Sequence, residues 1–298
     1  MNSLEGIFAA SITPLNKKFS PDLEAIPLYL DFLAGRGCHG ALLLGTTGEG
    51  PSFSFQQRIE IMKAGLRVRE KWPNFKLLAG TSTPSLDETC KLTKKAFDLD
   101  MDGVVVLPPY YYRRIDNVGL YSWYCEVIDR SVPEGGCFLA YHIPAVSGVG
   151  LSINLLEGLV ERNPSKFSGL KDSSGDIEFA KQLGDKFGDE LSVFTGNDLL
   201  LTEALNNQAS GCITAMANLI SPELHSLWES FQLNETVKLT QERINHVRKT
   251  CEQYQPFPPL IKLLMNKYFD FPLWPVCPPL VAQSEETADQ LSTLFNLA

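Results

Sequence analysis

Between residues 6 and 218 the chain returns again and again to a short apolar run. Each run closes in small or polar residues, and each is followed by a helix-like stretch. They are GIFAASITP (6 to 14), GALLLGTTG (40 to 48), KLLAGTS (76 to 82), GVVVLPPYY (103 to 111), CFLAYHIP (137 to 144), FSGLKDSS (167 to 174), LSVFTGN (191 to 197) and GCITAMAN (211 to 218). Near-continuous hydrophobicity marks strands covered on both faces, as in a parallel sheet. The intervening segments, such as SFQQRIEIMKAGLRVREKW and SLDETCKLTKKAFDLD, carry apolar residues at helical spacing. Eight such strands separated by helices predict an α/β chain folded as a closed (β/α)8 TIM barrel rather than an open doubly wound sheet. Beyond Asn218 the strand signal stops. SPELHSLWESF, ETVKLTQERINHVRKTCEQY and PLIKLLMNKYF read as helices, with QPFPP and FPLWPVCPPL as breakers between elements. The expected organisation is a barrel over 1–220 and a C-terminal helical extension over 221–298.

The formal charge of -9 and the absence of a basic run argue against nucleic acid or an anionic membrane as the main partner, leaving small molecules. No stretch approaches the roughly 18 uninterrupted apolar residues of a membrane span, and the first residues lack a charged head followed by a long apolar run, so a cytoplasmic location is expected. Cys38, Cys90, Cys125, Cys137, Cys212, Cys251 and Cys277 are odd in number and form no CxxC pair, which favours reduced, structural thiols. Cys38 and His39 adjoin, but no second cluster completes a metal site; neither metal nor cofactor is expected. No phosphate loop, GxGxxG or GxSxG elbow is present.

In such a barrel the chemistry lies at the carboxyl ends of the strands. The sixth run ends in Lys171, with Asp172, Ser173, Ser174 and Asp176 reading as helix-capping types ahead of IEFAKQLGDKF. A lone lysine there is ordinarily a surface residue. Inside a semi-apolar barrel mouth, however, lost hydration disfavours an ammonium and frees an amine to attack a carbonyl, the chemistry of a Schiff base. The second run ends in Gly45-Thr46-Thr47-Gly48-Glu49-Gly50, whose backbone can approach an anion while its hydroxyls relay protons. The fourth ends in Pro108-Pro109-Tyr110-Tyr111-Tyr112-Arg113-Arg114, and the fifth in Tyr141-His142-Ile143-Pro144. A rim tyrosine can serve as packing or as a general acid or base. His142, on the alternate face of its strand, reads as a structural residue.

GTTGEG, LPPYYY, YHIPAVSG, GLKDSSGD, TGND and GCITAMAN, in this order and at these spacings, closely resemble the dihydrodipicolinate synthase and N-acetylneuraminate lyase family of class I aldolases. The resemblance covers the barrel and the tail. It implies that Lys171 forms the imine with pyruvate or a 2-oxo acid and that Tyr141 shuttles protons, with Thr46 in the relay and the Thr46–Thr47 backbone cradling the carboxylate. Tyr111 matches the tyrosine lent by a neighbouring subunit, implying a homotetramer built as a dimer of dimers. Gly196 and Ile213 match pocket walls, and Arg114 matches an arginine that can serve phosphorylated substrates; Asp198 is a further candidate for contact with substrate hydroxyls. Val146 stands where dihydrodipicolinate synthases carry an arginine for aspartate semialdehyde; Leu199 and Ala215 replace a glutamate and a serine of sialate lyases. GTTGEGPSFS and PYYYRR resemble 2-keto-3-deoxygluconate aldolases, and GLKDSSGD with AMAN resembles 4-hydroxy-2-oxoglutarate aldolases. The implied activity is cleavage of a 2-keto-3-deoxy acid to pyruvate and an aldehyde. Dihydrodipicolinate synthesis, a sugar-acid dehydratase and a silent binding barrel remain as alternatives.

Overall fold

The computed structural model describes residues 4–188 and 190–295. Eight parallel strands close into a barrel in chain order: β1 (Gly6–Ala10), β2 (Gly40–Leu43), β3 (Lys76–Gly80), β4 (Gly103–Val106), β5 (Phe138–His142), β6 (Phe167–Asp172), β7 (Ser192–Thr195) and β8 (Gly211–Thr214), with β8 pairing back onto β1. Helices α1 (Ala25–Gly35), α2 (Phe55–Leu66), α3 (Leu86–Asp98), α4 (Asn117–Ser131), the short α5 (Pro144–Ser147), α6 (Ile153–Arg162), α7 (Ile177–Phe187) and α8 (Leu201–Asn206) fill the crossovers. The tail adds α9 (Ala217–Gln232), α10 (Lys238–Cys251), α11 (Phe257–Phe269), α12 (Glu285–Gln290) and α13 (Ser292–Phe295). The barrel expected from the eight runs is the fold observed. Among the described residues no helix is long and apolar enough to cross a membrane.

Side chains alternate across each strand, and the two faces form two separate cores. Phe8, Leu42, Leu78, Val105, Leu139, Phe194 and Ile213 fill the barrel interior, with Phe8 edge-on to Phe194 at 5.4 Å. The opposite strand faces pack against the helices in a larger layer that includes Ile7, Ala41, Leu77, Val104, Leu170 and Cys212. With the interior layer filled by apolar side chains, functional polar groups are left to the strand ends. Helix starts follow their sequence signals: Ser54 and Gln57 form a reciprocal capping box on α2, and Asp116 and Ser152 cap α4 and α6. The helical signal before residue 221 is continuous, however. α9 begins at Ala217 and crosses the expected barrel–tail boundary, with non-helical φ/ψ at Ile220 just ahead of Pro222.

Candidate active site

Strand register decides which polar residues meet. Tyr141 pairs with Lys171, and Lys171 with Phe194, so all three share the inward face. Lys171 is 4% exposed, and its Nζ donates to the Tyr141 hydroxyl at 3.1 Å while lying 4.2 Å from the ring centroid. The side chains of Ser173 and Thr46 also favour the ionised phenol. Burial pushes the Tyr141 phenol up. The Lys171 charge and the hydrogen bonds from Ser173, Lys171 and Thr46 outweigh that effect, and the net shift is downward. A phenol so placed can give a proton and regain it at the atom beside the amine.

Thr46 is exposed and Thr47 buried, on a turn fixed from two sides. Thr13 donates its hydroxyl to the Gly48 carbonyl at 2.7 Å. Glu49, in the left-handed region at φ 56, accepts from Lys262 Nζ at 2.5 Å and from the Cys277 N–H at 2.7 Å. The tail thereby holds the threonine turn in place. Gly196 is required by a close approach: an added Cβ would lie 1.9 Å from Ser173 Oγ. Ile213 is fully buried in the barrel interior. Behind Thr46 and Tyr141 lies a cavity of about 30 Å³ that Tyr110, Arg58 and Ser82 also line. A larger cavity of about 490 Å³ opens around Lys76, Asp102 and Ser210, near the amino ends of the strands, but Lys76 there is paired with Asp102. The reactive pairing of amine and phenol is at the mouth.

Residues 3–297 match the model of the dihydrodipicolinate synthetase family. The chain belongs to that family. An uncharacterised DapA-like lyase of Chloroflexus aurantiacus is 34% identical over 291 residues, spanning 97% of this chain and 95% of that protein. A 4-hydroxy-tetrahydrodipicolinate synthase of Methanosphaerula palustris is 30% identical over 223 residues, 74% of this chain and 73% of that protein. The crystal structure of dihydrodipicolinate synthase DapA-2 from Bacillus anthracis superposes with a TM-score of 0.89 at 22% identity, covering 100% of this chain and 99% of that one. This member of the dihydrodipicolinate synthetase family is an enzyme of the lysine Schiff-base class I aldolase and lyase type, acting on carbon–carbon bonds.

Other sequence expectations for this family enzyme land away from the amine. Asp198 is fully buried and does not face the barrel interior. Its Oδ1 accepts from Thr214 at 2.6 Å and pairs with Arg248 of α10 at 2.7 Å, and Thr214 shares the helix-facing parity of Cys212. Asp198, expected on substrate hydroxyls, has one carboxylate oxygen held in this internal ion pair, which stabilises an acid so deeply buried, and its Oδ2 has no hydrogen-bond partner among the described residues. Arg114 is exposed, with no ion pair among the described residues. Its neighbour Arg113 lies against Gly148, past α5, where an added Cβ would approach its Cδ to 2.6 Å. Tyr111 is 74% exposed and stands edge-on to Tyr112 at 5.3 Å. His142 does lie on the helix-facing side, against Phe179 at 4.6 Å.

Ser173 was expected to belong to the helix start. Of the capping types in that segment it is Asp176 that caps α7, while Asp172 accepts from Ser174. The seven cysteines are free thiols, and burial pushes Cys38 up to about 12. One group of metal-ligand types does occur among the described residues, although none was expected: His39, His225 and Glu229, with donor atoms within 4.8 Å. His39 Nδ1 accepts the Ile7 N–H at 3.0 Å, which places the ring proton on Nε2 and leaves a neutral His39 no free lone pair for a cation.

Proposed function

We propose that the chain cleaves a short 2-keto-3-deoxy acid, of the 2-keto-3-deoxygluconate or 4-hydroxy-2-oxoglutarate type, to pyruvate and an aldehyde through an imine on Lys171. The observation that carries the imine is the buried Lys171 amine held 3.1 Å from the Tyr141 hydroxyl. Support for the substrate class comes from the rim. Val146, 55% exposed on α5, offers an apolar surface where an arginine would be needed to hold the carboxylate of aspartate semialdehyde.

In this reading the neutral amine attacks the C2 carbonyl, and loss of water leaves an iminium. The C4 hydroxyl gives its proton to the Tyr141 phenolate. The C3–C4 bonding pair then moves into C3 and the iminium nitrogen, releasing the aldehyde and leaving an enamine. Tyr141 returns the proton to C3, and water hydrolyses the imine to pyruvate. The Thr46–Thr47 turn binds the substrate carboxylate, Gly196 and Ile213 shape the wall, and Thr46 takes part in the relay. Tyr111 and Tyr112 present an exposed aromatic pair at the mouth, suited to docking a second copy within a homotetramer.

The test is the intact mass after incubation with pyruvate and borohydride, followed by an assay of released pyruvate across 2-keto-3-deoxy acids. A reduced pyruvate adduct absent from Lys171→Ala is expected. Efficient condensation of pyruvate with aspartate semialdehyde, alongside no cleavage of any 2-keto-3-deoxy acid, would overturn the substrate reading.

A further inference from the structure

Two arginines line one small cavity at the seam between barrel and tail. It holds about 140 Å³ and lies against the kinked start of α9, bounded by Arg36, Leu219, Pro222, Glu223, Arg243 and Phe269 among others. Arg36 follows α1, Arg243 belongs to α10 and Phe269 ends α11, so one barrel helix and three tail helices meet there. The space suits a few waters or a single small oxyanion.

Arg36 is held in place rather than free to swing. Its guanidinium lies over the Phe32 ring at 5.1 Å and the Phe269 ring at 4.9 Å, and its Nη2 donates to the Leu219 carbonyl at 2.9 Å beside the kink. Its Nε is buried without a hydrogen-bond partner among the described residues. Arg243 donates from Nη2 to the Leu294 carbonyl. Backbone carbonyls thus answer one nitrogen of each fork, and neither guanidinium forms an ion pair among the described residues. Glu223 lines the same cavity and acts on Arg36 from beyond ion-pair distance. A guanidinium carries five N–H donors and does not shed its proton in a protein. Burial disfavours the Arg36 charge, and a second positive charge borders the same space. The cavity is therefore rich in donors and short of negative charge.

We infer that this seam is a binding site for a small oxyanion, a phosphate or a short carboxylate, held between the Arg36 and Arg243 guanidiniums. Planar guanidinium forks match the paired oxygens of both groups. An anion there satisfies the open donors and neutralises two cations that the fold leaves without a partner. The flanking rings keep Arg36 ready, so little side-chain freedom is lost on binding. Glu223 opposes the ligand and limits its affinity. The site shares no residue with the Lys171–Tyr141 mouth and does not depend on the imine reading. Because its walls come from the end of α1 and from α9, α10 and α11, an occupied site fastens the tail to the barrel.

The experiment is thermal unfolding of the full chain with inorganic phosphate or with succinate, each against sodium chloride of equal ionic strength, and titration calorimetry for affinity. An anion at ten times its dissociation constant is expected to raise Tm by roughly 2–5 °C. Stabilisation by phosphate alone identifies a phosphate ligand, and by succinate alone a carboxylate. Arg243→Gln, with its fold checked by circular dichroism, is expected to bind at least ~10-fold more weakly. Glu223→Gln removes the opposing charge and should bind about 2–5-fold more tightly. Arg113→Ala combined with Arg114→Ala, at the mouth, should bind as the unaltered protein does. No stabilisation beyond chloride by either anion, binding by Arg243→Gln within about twofold of the unaltered protein, or a Glu223→Gln affinity that is unchanged or weaker would overturn the site. Loss of binding in the mouth variant would place the anion at the strand ends and overturn it as well.

Discussion

Two lysines of this protein are almost fully buried, and they do opposite things. Lys171 is 4% exposed and Lys262 1%. Lys262 Nζ is enclosed by Glu49 Oε1 at 2.5 Å and the Pro275 carbonyl at 2.7 Å, and the second Glu49 oxygen is taken by the Cys277 N–H. Burial is the larger influence and leaves the Lys262 pKa below its usual value, although the Glu49 charge and hydrogen bond oppose it. Lys171 meets a phenol instead, among hydroxyls that lead to the mouth. Burial alone therefore does not make a nucleophile. Lys262 is tied between a carboxylate and a backbone carbonyl and serves as a fastener, whereas Lys171 faces a phenol at the strand ends and, in the proposed reading, is the amine that attacks.

The largest effect that could break this comparison lies at Lys171. Lys171→Met is expected to lower pyruvate-dependent turnover at least ~10³-fold and to abolish borohydride trapping, while urea unfolding shows no loss of stability. Lys262→Met should show the reverse pattern. It strands the Glu49 carboxylate without a counter-charge, and breaking a buried pair from one side costs about 3–5 kcal/mol. Its folded fraction should still trap pyruvate at Lys171. Adding Glu49→Gln to Lys262→Met should recover part of the lost stability, since no charge then remains buried. If folded Lys262→Met failed to trap pyruvate, the two lysines would not be separable in function.

A smaller effect sharpens the same contrast at the mouth. Gly196→Ala forces a methyl toward Ser173 Oγ, and overpacking of this kind costs roughly 1–3 kcal/mol. Trapping should persist while exchange of the pyruvate methyl hydrogens in deuterium oxide slows, because the displaced side chain favours the ionised Tyr141 phenol. A variant that exchanges normally would show that Ser173 can move aside without consequence.

The barrel was legible because its signal is repeated. Eight apolar runs carry the same message, and burial on both faces removes the ambiguity of a single strand. Lys171, Tyr141 and Thr46 were legible because strand ends are where this architecture gathers polar groups. Glu49–Lys262 was not, since 213 residues separate the partners and neither stands out in its own segment. The same holds for the Asp198–Arg248 ion pair, whose partners come from a strand end and a tail helix 50 residues apart. Ser173 was hidden differently. SSGD offers several capping residues in succession, and only the geometry shows that Asp176 takes the cap while Ser173 stands against Gly196.

His142 supplies the mildest test, as a third buried base whose surroundings hold neither a phenol nor a paired carboxylate. Its ring packs on Phe179, and its Nδ1 has no hydrogen-bond partner among the described residues. Burial holds its pKa down at about 4, against a slight upward pull from Asp176. In the unfolded chain the ring titrates near 6.5. Between these values the unfolded state carries a proton that the folded state does not, so stability falls as pH drops from about 6.5 to about 4 and levels off below. For a ring as buried as this one the loss is expected to be roughly 2–3 kcal/mol. Urea unfolding at pH 7 and pH 5 should show His142→Gln losing less stability on acidification than the unaltered protein. Equal losses would mean that the folded ring accepts a proton as readily as the unfolded one, and that burial without a partner does not keep a base neutral here.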